Sequence, residues 1–173
     1  MNEHELELKG QLEMFRDLKI RSGILSGFHY RGMEDFLLQH GEWHRPTEPI
    51  RDRQGAPKQC FGNALVLAVT RGYRYFEGIA LPDIPVRISM HHGWCLTPDG
   101  ALVDNTWMNT GLAYLGVEFS VGRVDNAMWF DDASVLDNPR SRFKIYREPW
   151  TGENFNLIWR RSKPLRNLSK QLL

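Results

Sequence analysis

The sequence lacks three features that would each assign the chain to a well-defined class. It has two cysteines among 173 residues, too few for the disulfide framework of a small secreted domain. No apolar run approaches the roughly 20 residues that are needed to span a bilayer. Its formal net charge is only +1, which argues against a generally basic nucleic-acid binder.

The first residues of the chain bear on its expected compartment, and its size bears on the number of domains. Residues 1–5 are polar and acidic and lack the basic end and apolar centre of a signal peptide. We therefore expect a soluble, cytoplasmic protein without a membrane span. With 42% apolar residues, the chain is large enough for one well-packed domain and small for two. We expect a single domain over residues 1–173, with N-terminal helices within 5–40, a core at about 54–147 and a basic C-terminal segment at 159–173.

The order of periodic segments predicts an α+β fold. Apolar residues recur near the helical period in 5–20 and 32–40, and a loop rich in proline and charge follows from 42 to 58. A buried helix is expected from Cys60 to about Gly72. Four strands are expected next, followed by a helix and a last strand. Their ranges are 73–80, 86–96, 101–106 and 117–121 for the strands, 123–130 for the helix and 142–147 for the last strand.

Cys60 is the residue that most directly indicates a catalytic function, because it lies in the first turn of the buried helix. A thiol with an ordinary pKa near 8.5 is mostly unreactive at neutral pH and needs an electropositive neighbour to become a thiolate. The unpaired N–H groups of a helix N-terminus stabilise an anion and could also hold an oxyanion. Cys60 is therefore a candidate nucleophile.

His92 and Asp104 are the candidate partners of that thiol. The turn at 98–100 joins the strands that carry them into a hairpin, and cross-strand neighbours lie about 5 Å apart. The imidazole would take the thiol proton, and the carboxylate would orient the ring. Asn105 would replace Asp104 as the orienting residue if the register slipped by one residue. His91 points to the opposite face from His92 and is expected at the surface or behind the site.

Metal binding is the weaker interpretation of the same residues. His91, His92, Cys95 and Asp104 are ligand types that suit zinc. Consecutive histidines diverge in a strand, however, and the paired spacings of zinc motifs are missing. We therefore expect no metal and no cofactor, and Cys95 is expected to be a buried thiol.

Four short stretches in this order resemble the papain-like and transglutaminase-like cysteine enzyme superfamily. They are Gln59–Ala64, Tyr75–Ala80, His92–Trp94 and Val103–Trp107. The resemblance covers about residues 54–108 and implies a Cys-bearing helix packed on an antiparallel sheet, with N-terminal helices beside it. It also implies that Cys60 is the nucleophile, His92 the general base and acid, and Asp104 the orienting group.

Other residues are candidates for supporting roles. Papain-like enzymes place an oxyanion glutamine six residues before the cysteine, where this chain has Gln54, and Gln59 is the competing choice. Trp94 and Trp107 flank the histidine and the aspartate in sequence, and they would either wall a cleft or pack in the core. Glu77 would help to set the electrostatics of the site or hold an arginine; its alternative is a solvated charge on an edge strand.

Two classes of function remain open. The first is a thiol hydrolase or acyltransferase that forms a Cys60 thioester with a protein or peptide-like substrate; peptidase, amidase, deamidase and transglutaminase reactions share this step. The second is a non-catalytic binding or inhibitory protein with the same fold, whose basic segment 159–173 meets an acidic partner. The two differ in whether the Cys60 thiol is unusually reactive.

Overall fold

The fold is described from a computed structural model. The structure describes residues 1–46, 54–131 and 134–151, with only the backbone described at 130 and 131. The predicted basic segment 159–173 lies outside these residues. In chain order the elements are α1 (Glu3–Arg21), α2 (Met33–His40), β1 (Glu42–His44), α3 (Cys60–Arg71), β2 (Arg74–Leu81), β3 (Met90–Leu96), β4 (Leu102–Val103), β5 (Ala113–Phe119), α4 (Val121–Asp131) and α5 (Lys144–Arg147).

The strands form one antiparallel sheet in the order β1-β5-β2-β3-β4. The central strand β2 pairs with β3 along one edge and with β5 along the other, and Glu77 of β2 lies opposite both Gly93 and Val117. The fold is therefore α+β, as the order of segments predicts. None of the helices in the described residues is long and apolar enough to cross a membrane.

Helix α3 is the element that positions Cys60. Its apolar side buries Ala64, Leu65 and Leu67 in the main core. The Cys95 thiol of β3 donates a hydrogen bond to the Ala64 carbonyl at 3.2 Å, so α3 lies on the face of β3 that carries Cys95. The helix ends at Gly72, whose φ of 69° is the left-handed conformation that glycine adopts without strain.

The far end of the chain departs from the prediction. Residues 142–147 do not form a strand: Arg142 and Phe143 have positive φ angles of 54° and 52°, and the short helix α5 follows. The edge beside β5 is instead occupied by β1, which lies within the predicted loop 42–58. The sequence did not reveal β1 because three residues are too few to show strand periodicity.

Strand boundaries also differ from the prediction. The strand predicted at 117–121 begins earlier, at Ala113, and ends at Phe119. The strand predicted at 86–96 begins only at Met90. The chain ahead of Met90 instead runs beside α1, where the Gln11 amide bonds the backbone of Arg87 and Ser89. Contacts with a helix therefore replace strand pairing in this segment.

Candidate active site

Cys60 is the first residue of α3 and is partly exposed. The backbone N–H groups of the first helical turn have no carbonyl partner within the helix, and the positive end of the helix dipole lies there. A negative charge on the Cys60 sulfur, or on an oxygen bound beside it, is stabilised at this position.

Gly93 lets the start of α3 come close to β3. A Cβ atom at Gly93 would lie 2.9 Å from Cδ1 of Phe61, 3.2 Å from Cα of Phe61 and 3.4 Å from the Cys60 carbonyl oxygen. The first of these distances is shorter than real Cβ contacts, so any side chain at Gly93 would push the helix away. The missing side chain therefore sets the distance between Cys60 and the strand that carries His92.

The hairpin of β3 and β4 brings His92 and Asp104 together. His92 Nε2 lies 2.8 Å from Asp104 Oδ2, and both side chains are almost fully buried. Cys60 is the second group that raises the pKa of the His92 imidazole, so the thiol lies beside the ring; because Nε2 is bonded to Asp104, Nδ1 is the ring nitrogen left for the thiol.

The charges of these three groups support one another. Burial alone would lower the pKa of His92, but hydrogen bonding and charge from Asp104 and Cys60 outweigh it and raise the pKa to about 9. Burial likewise acts to raise the pKa of Asp104, whereas its bonds to His92, Thr106 and Tyr114 lower it overall. At neutral pH the arrangement therefore holds an imidazolium between a carboxylate and the cysteine sulfur.

Asp104 is fixed by three further donors. Its Oδ1 accepts from the backbone N–H of Thr106 at 3.0 Å and of Trp107 at 3.4 Å. Its Oδ2 accepts from the Tyr114 hydroxyl at 2.9 Å, and that hydroxyl itself accepts from the Gly111 N–H at 2.7 Å. The carboxylate therefore has one orientation, with Oδ2 shared by His92 and Tyr114. The sequence offers no local signal for Tyr114, which reaches Asp104 from β5.

Replacing Tyr114 by Phe removes the hydroxyl that bonds Asp104 and keeps the ring that fills the core. The variant should therefore weaken the contact between Asp104 and His92. The loss of one hydrogen bond to a buried carboxylate raises the pKa of Asp104 and frees the carboxylate to turn away from the His92 ring, which weakens its support of the imidazolium. We expect the NMR titration of the His92 ring to move to lower pH, and the reactivity of Cys60 at pH 7 to fall by about three- to tenfold. Tyr146→Phe is the matched control, because the hydroxyl of Tyr146 bonds the Leu136 carbonyl instead. An unchanged His92 titration would contradict the role assigned to Tyr114.

The two candidate tryptophans lie in different places. The Trp107 ring stacks on the His92 ring, with centroids 4.0 Å apart and planes inclined by 19°, so it covers the imidazole. Trp94 is fully buried, its indole N–H donates to His44 Nδ1 at 3.1 Å, and its ring stacks on Phe76. Trp107 therefore belongs to the site and Trp94 to the core behind it.

Asn63 joins the loops on both sides of the site to α3, a role that sequence reasoning missed. Its side-chain nitrogen donates to the Ala56 carbonyl at 2.8 Å and to the Thr106 hydroxyl at 2.9 Å, and its oxygen accepts from the Ala56 N–H at 3.1 Å. The Asn105 carbonyl accepts from the Gly55 N–H at 2.7 Å. Asn63 thus ties the loop before Cys60 to the loop after Asp104.

The supporting residues predicted from sequence have different surroundings. Gln54 and Gln59 are both exposed, and Gln59 is the N-cap residue of α3 without a side-chain capping bond. Of the two candidate orienting residues, Asp104 bonds the His92 imidazole. The described bond of Asn105 is made by its backbone carbonyl, which accepts from Gly55 in the loop before Cys60.

Glu77 is not an exposed charge on an edge strand, so that alternative was wrong. It lies on central β2 and is fully buried. Its carboxylate accepts from the N–H groups of Val135 and Leu136 at 3.0 and 2.9 Å and from the Tyr75 hydroxyl at 2.9 Å. Burial raises the pKa of Glu77, although these bonds and the charge of Arg123 oppose the shift. Glu77 thus fastens the segment at 135–136 to the sheet, on the face opposite His92.

His91 lies on that same face. Its ring centroid is 4.7 Å from that of Phe61, and its Nε2 is 4.0 Å from a Glu77 oxygen. Burial, together with the neighbouring charge of His92, lowers the pKa of His91 to about 3. The two adjacent histidines therefore carry different charges at neutral pH, because His92 has a carboxylate partner at hydrogen-bond distance.

Comparison with known proteins yields no relative. No family model matches the chain, and neither a curated protein nor a solved structure matches it.

Proposed function

We propose that this protein is a thiol-dependent hydrolase or acyltransferase that acts on an amide or other acyl bond through a Cys60 thioester. One observation carries the proposal: the His92 imidazole is bonded to Asp104 at 2.8 Å and has Cys60 beside it as the second group that raises its pKa. A nucleophile, a base within hydrogen-bond reach and a third group that orients the base form the arrangement that covalent acyl transfer requires.

In the first half of the reaction the Cys60 sulfur attacks the carbonyl carbon of the substrate. The carbonyl π electrons move to oxygen, and the N–H groups at the start of α3 are placed to stabilise this oxyanion. When the oxyanion collapses, the bond from carbon to the leaving group breaks. The leaving amine or alcohol takes a proton from the His92 imidazolium, and a thioester remains on Cys60.

In the second half an acceptor attacks the thioester carbon. The acceptor is water in a hydrolase and an amine in an acyltransferase, and its proton passes to the neutral His92 ring. That proton restores the imidazolium, and collapse of the second oxyanion breaks the bond from carbon to sulfur and expels the Cys60 thiolate. Asp104 keeps the ring in the required orientation throughout, and the stacked Trp107 limits the access of water to it.

The order of the three residues and their placement, a helix-borne cysteine beside a strand histidine and a following aspartate, support membership of the papain-like and transglutaminase-like superfamily. We extend the proposal to protein or peptide-like substrates on this basis. The exposed Gln54 and Gln59 are weaker support, because neither has a described contact with Cys60, and we assign the oxyanion to the helix N–H groups first.

An acyl-enzyme trap tests the proposal. The protein is mixed with p-nitrophenyl acetate at pH 7, quenched in acid and analysed by intact-mass and peptide mass spectrometry. We expect an acetyl group on Cys60, release of p-nitrophenol in step with it, and no adduct in Cys60→Ser; mapping of the buried Cys95 excludes the second thiol. Labelling of Cys60 no faster than that of glutathione would contradict the proposal and favour a non-catalytic binding protein.

A further inference from the structure

One side-chain amide connects the helix that carries Cys60 with the segment that carries Asp104. Asn63 lies three residues after Cys60 on α3, which places the two on the same side of the helix. Its side-chain nitrogen donates to the Thr106 hydroxyl at 2.9 Å, and Asn63 and Thr106 are both buried. This bond joins α3 directly to the segment that follows β4.

Thr106 stands between the two groups that hold the His92 ring. Its backbone N–H donates to Asp104 Oδ1 at 3.0 Å, and the other oxygen of that carboxylate bonds the imidazole. The next residue is Trp107, whose ring stacks on the imidazole. An anchor on the Thr106 hydroxyl therefore acts on both the carboxylate and the indole.

The Asn63 amide has one satisfied orientation. Its nitrogen also donates to the Ala56 carbonyl at 2.8 Å, and its oxygen accepts from the Ala56 N–H at 3.1 Å. A rotated amide would place its oxygen against the Ala56 carbonyl, where no donor is present. A Cβ atom at Gly55 would overlap the amide, so the loop before Cys60 packs directly on it. The amide is thus a fixed point for its neighbours.

The segment after β4 needs such an anchor because the strand is short. Strand β4 has two residues, which pair with Cys95 and Leu96 of β3, and the pairing ends just before Asp104. The close approach at Gly93 holds α3 against β3 but does not act on the segment after β4. The bond from Asn63 supplies this second constraint.

We propose that Asn63 is a positioning residue of the acyl-transfer site: through Thr106 it holds the segment after β4 in a fixed relation to α3. Because Cys60 lies on α3 and Asp104 on that segment, the amide aligns the nucleophile with the group that orients its base. This inference rests on the acyl-transfer function proposed above. Asn63 is assigned no contact with the substrate and acts through Thr106.

Replacing Thr106 by valine tests this role, because valine keeps the shape of threonine and removes the hydroxyl. The rate at which iodoacetamide labels Cys60 is measured at a series of pH values by mass spectrometry. We expect labelling at pH 7 to slow by about tenfold, since an error of 1 Å in position can cost 100-fold, and the half-maximal rate to move to higher pH. Thr106→Ser keeps the hydroxyl and should recover most of the wild-type rate and pH profile.

A double-mutant cycle shows whether Thr106 acts through the amide. Asn63→Ala and Thr106→Val remove the same bond, so their effects on the labelling rate should not add in the double variant. Fully additive losses would show that the two side chains act independently, and would overturn the proposed link.

Thr97→Val is the matched control. Thr97 is 5% exposed and Thr106 8%, and the Thr97 hydroxyl accepts from the Ala101 N–H at 2.9 Å, in the turn of the hairpin. The control should lower the free energy of unfolding in urea and leave the pH profile of Cys60 unchanged. A Thr106→Val profile that superposes on a fast wild-type profile overturns the positioning role alone. Slow wild-type labelling that does not depend on His92 overturns the proposed function as well.

Discussion

Replacing His92 by alanine is expected to reduce acyl transfer to Cys60 by at least about 100-fold, the lower end of what a positioned general base contributes. The variant loses the imidazole that bonds Asp104 and lies beside Cys60. It also loses the positive charge that the raised pKa of His92, about 9, maintains at neutral pH. The measurement is the release of p-nitrophenol from p-nitrophenyl acetate at pH 7 under single-turnover conditions.

The neighbouring histidine supplies the control for this experiment. His91→Ala removes the same ring one residue away on the opposite face, where the pKa of about 3 keeps it neutral. We expect its acyl-transfer rate to fall by no more than about tenfold, because the His91 ring packs against Phe61 beside Cys60, whereas the bond to Asp104 is made by His92. Equal losses in both variants would show that folding of β3 is affected, and would contradict a specific role for His92.

Replacing Gly93 by alanine is expected to have the second largest effect, on both stability and reactivity. The new Cβ would meet the backbone of Phe61 at 3.2 Å as well as its ring at 2.9 Å, so α3 itself must move. Overpacking of this kind costs about 1–3 kcal/mol. Displacing Cys60 from His92 by a fraction of an ångström should lower acyl transfer by about tenfold, since an error of 1 Å can cost 100-fold. Urea unfolding and single-turnover kinetics measure the two effects.

Gly62 provides a matched glycine two residues from Cys60. A Cβ there meets only Cε of Met128 at 3.5 Å, an ordinary contact. Because alanine is the better helix former, Gly62→Ala should raise the free energy of unfolding by up to about 1 kcal/mol and leave acyl transfer near the wild-type rate. A Gly93→Ala variant as stable and reactive as Gly62→Ala would contradict the close approach of α3 to β3.

Local sequence signals predicted the parts of the site that depend on neighbours along the chain. The apolar run that ends at Gly72 located α3 and put Cys60 at its start. The turn at 98–100 between two apolar runs located the hairpin, and the hairpin places the Asp104 carboxylate against His92. Period and turn chemistry are properties of short segments, so they can be recognised in a single sequence.

The groups that hold the site in place come from distant segments and could not be predicted in this way. Tyr114 reaches Asp104 from β5, and Asn63 links α3 to Thr106. For Glu77 an exposed edge charge stayed open as an alternative because its strand was predicted but the neighbours of that strand were not; the sheet order puts that strand in the centre. Sheet order and cross-strand register are set by long-range pairing, which the period of one segment does not encode.

The pH dependence of Cys60 alkylation by iodoacetamide, in the wild type and in His92→Ala, tests the central claim most directly. Cys60→Ser is the blank, and mass spectrometry maps Cys95. Because the His92 imidazolium persists up to about pH 9, we predict rapid labelling of wild-type Cys60 well below pH 8, lost in His92→Ala. Labelling in both proteins that rises only near pH 8.5, as for an ordinary thiol, would contradict an activated Cys60 and the acyl-transfer function built on it.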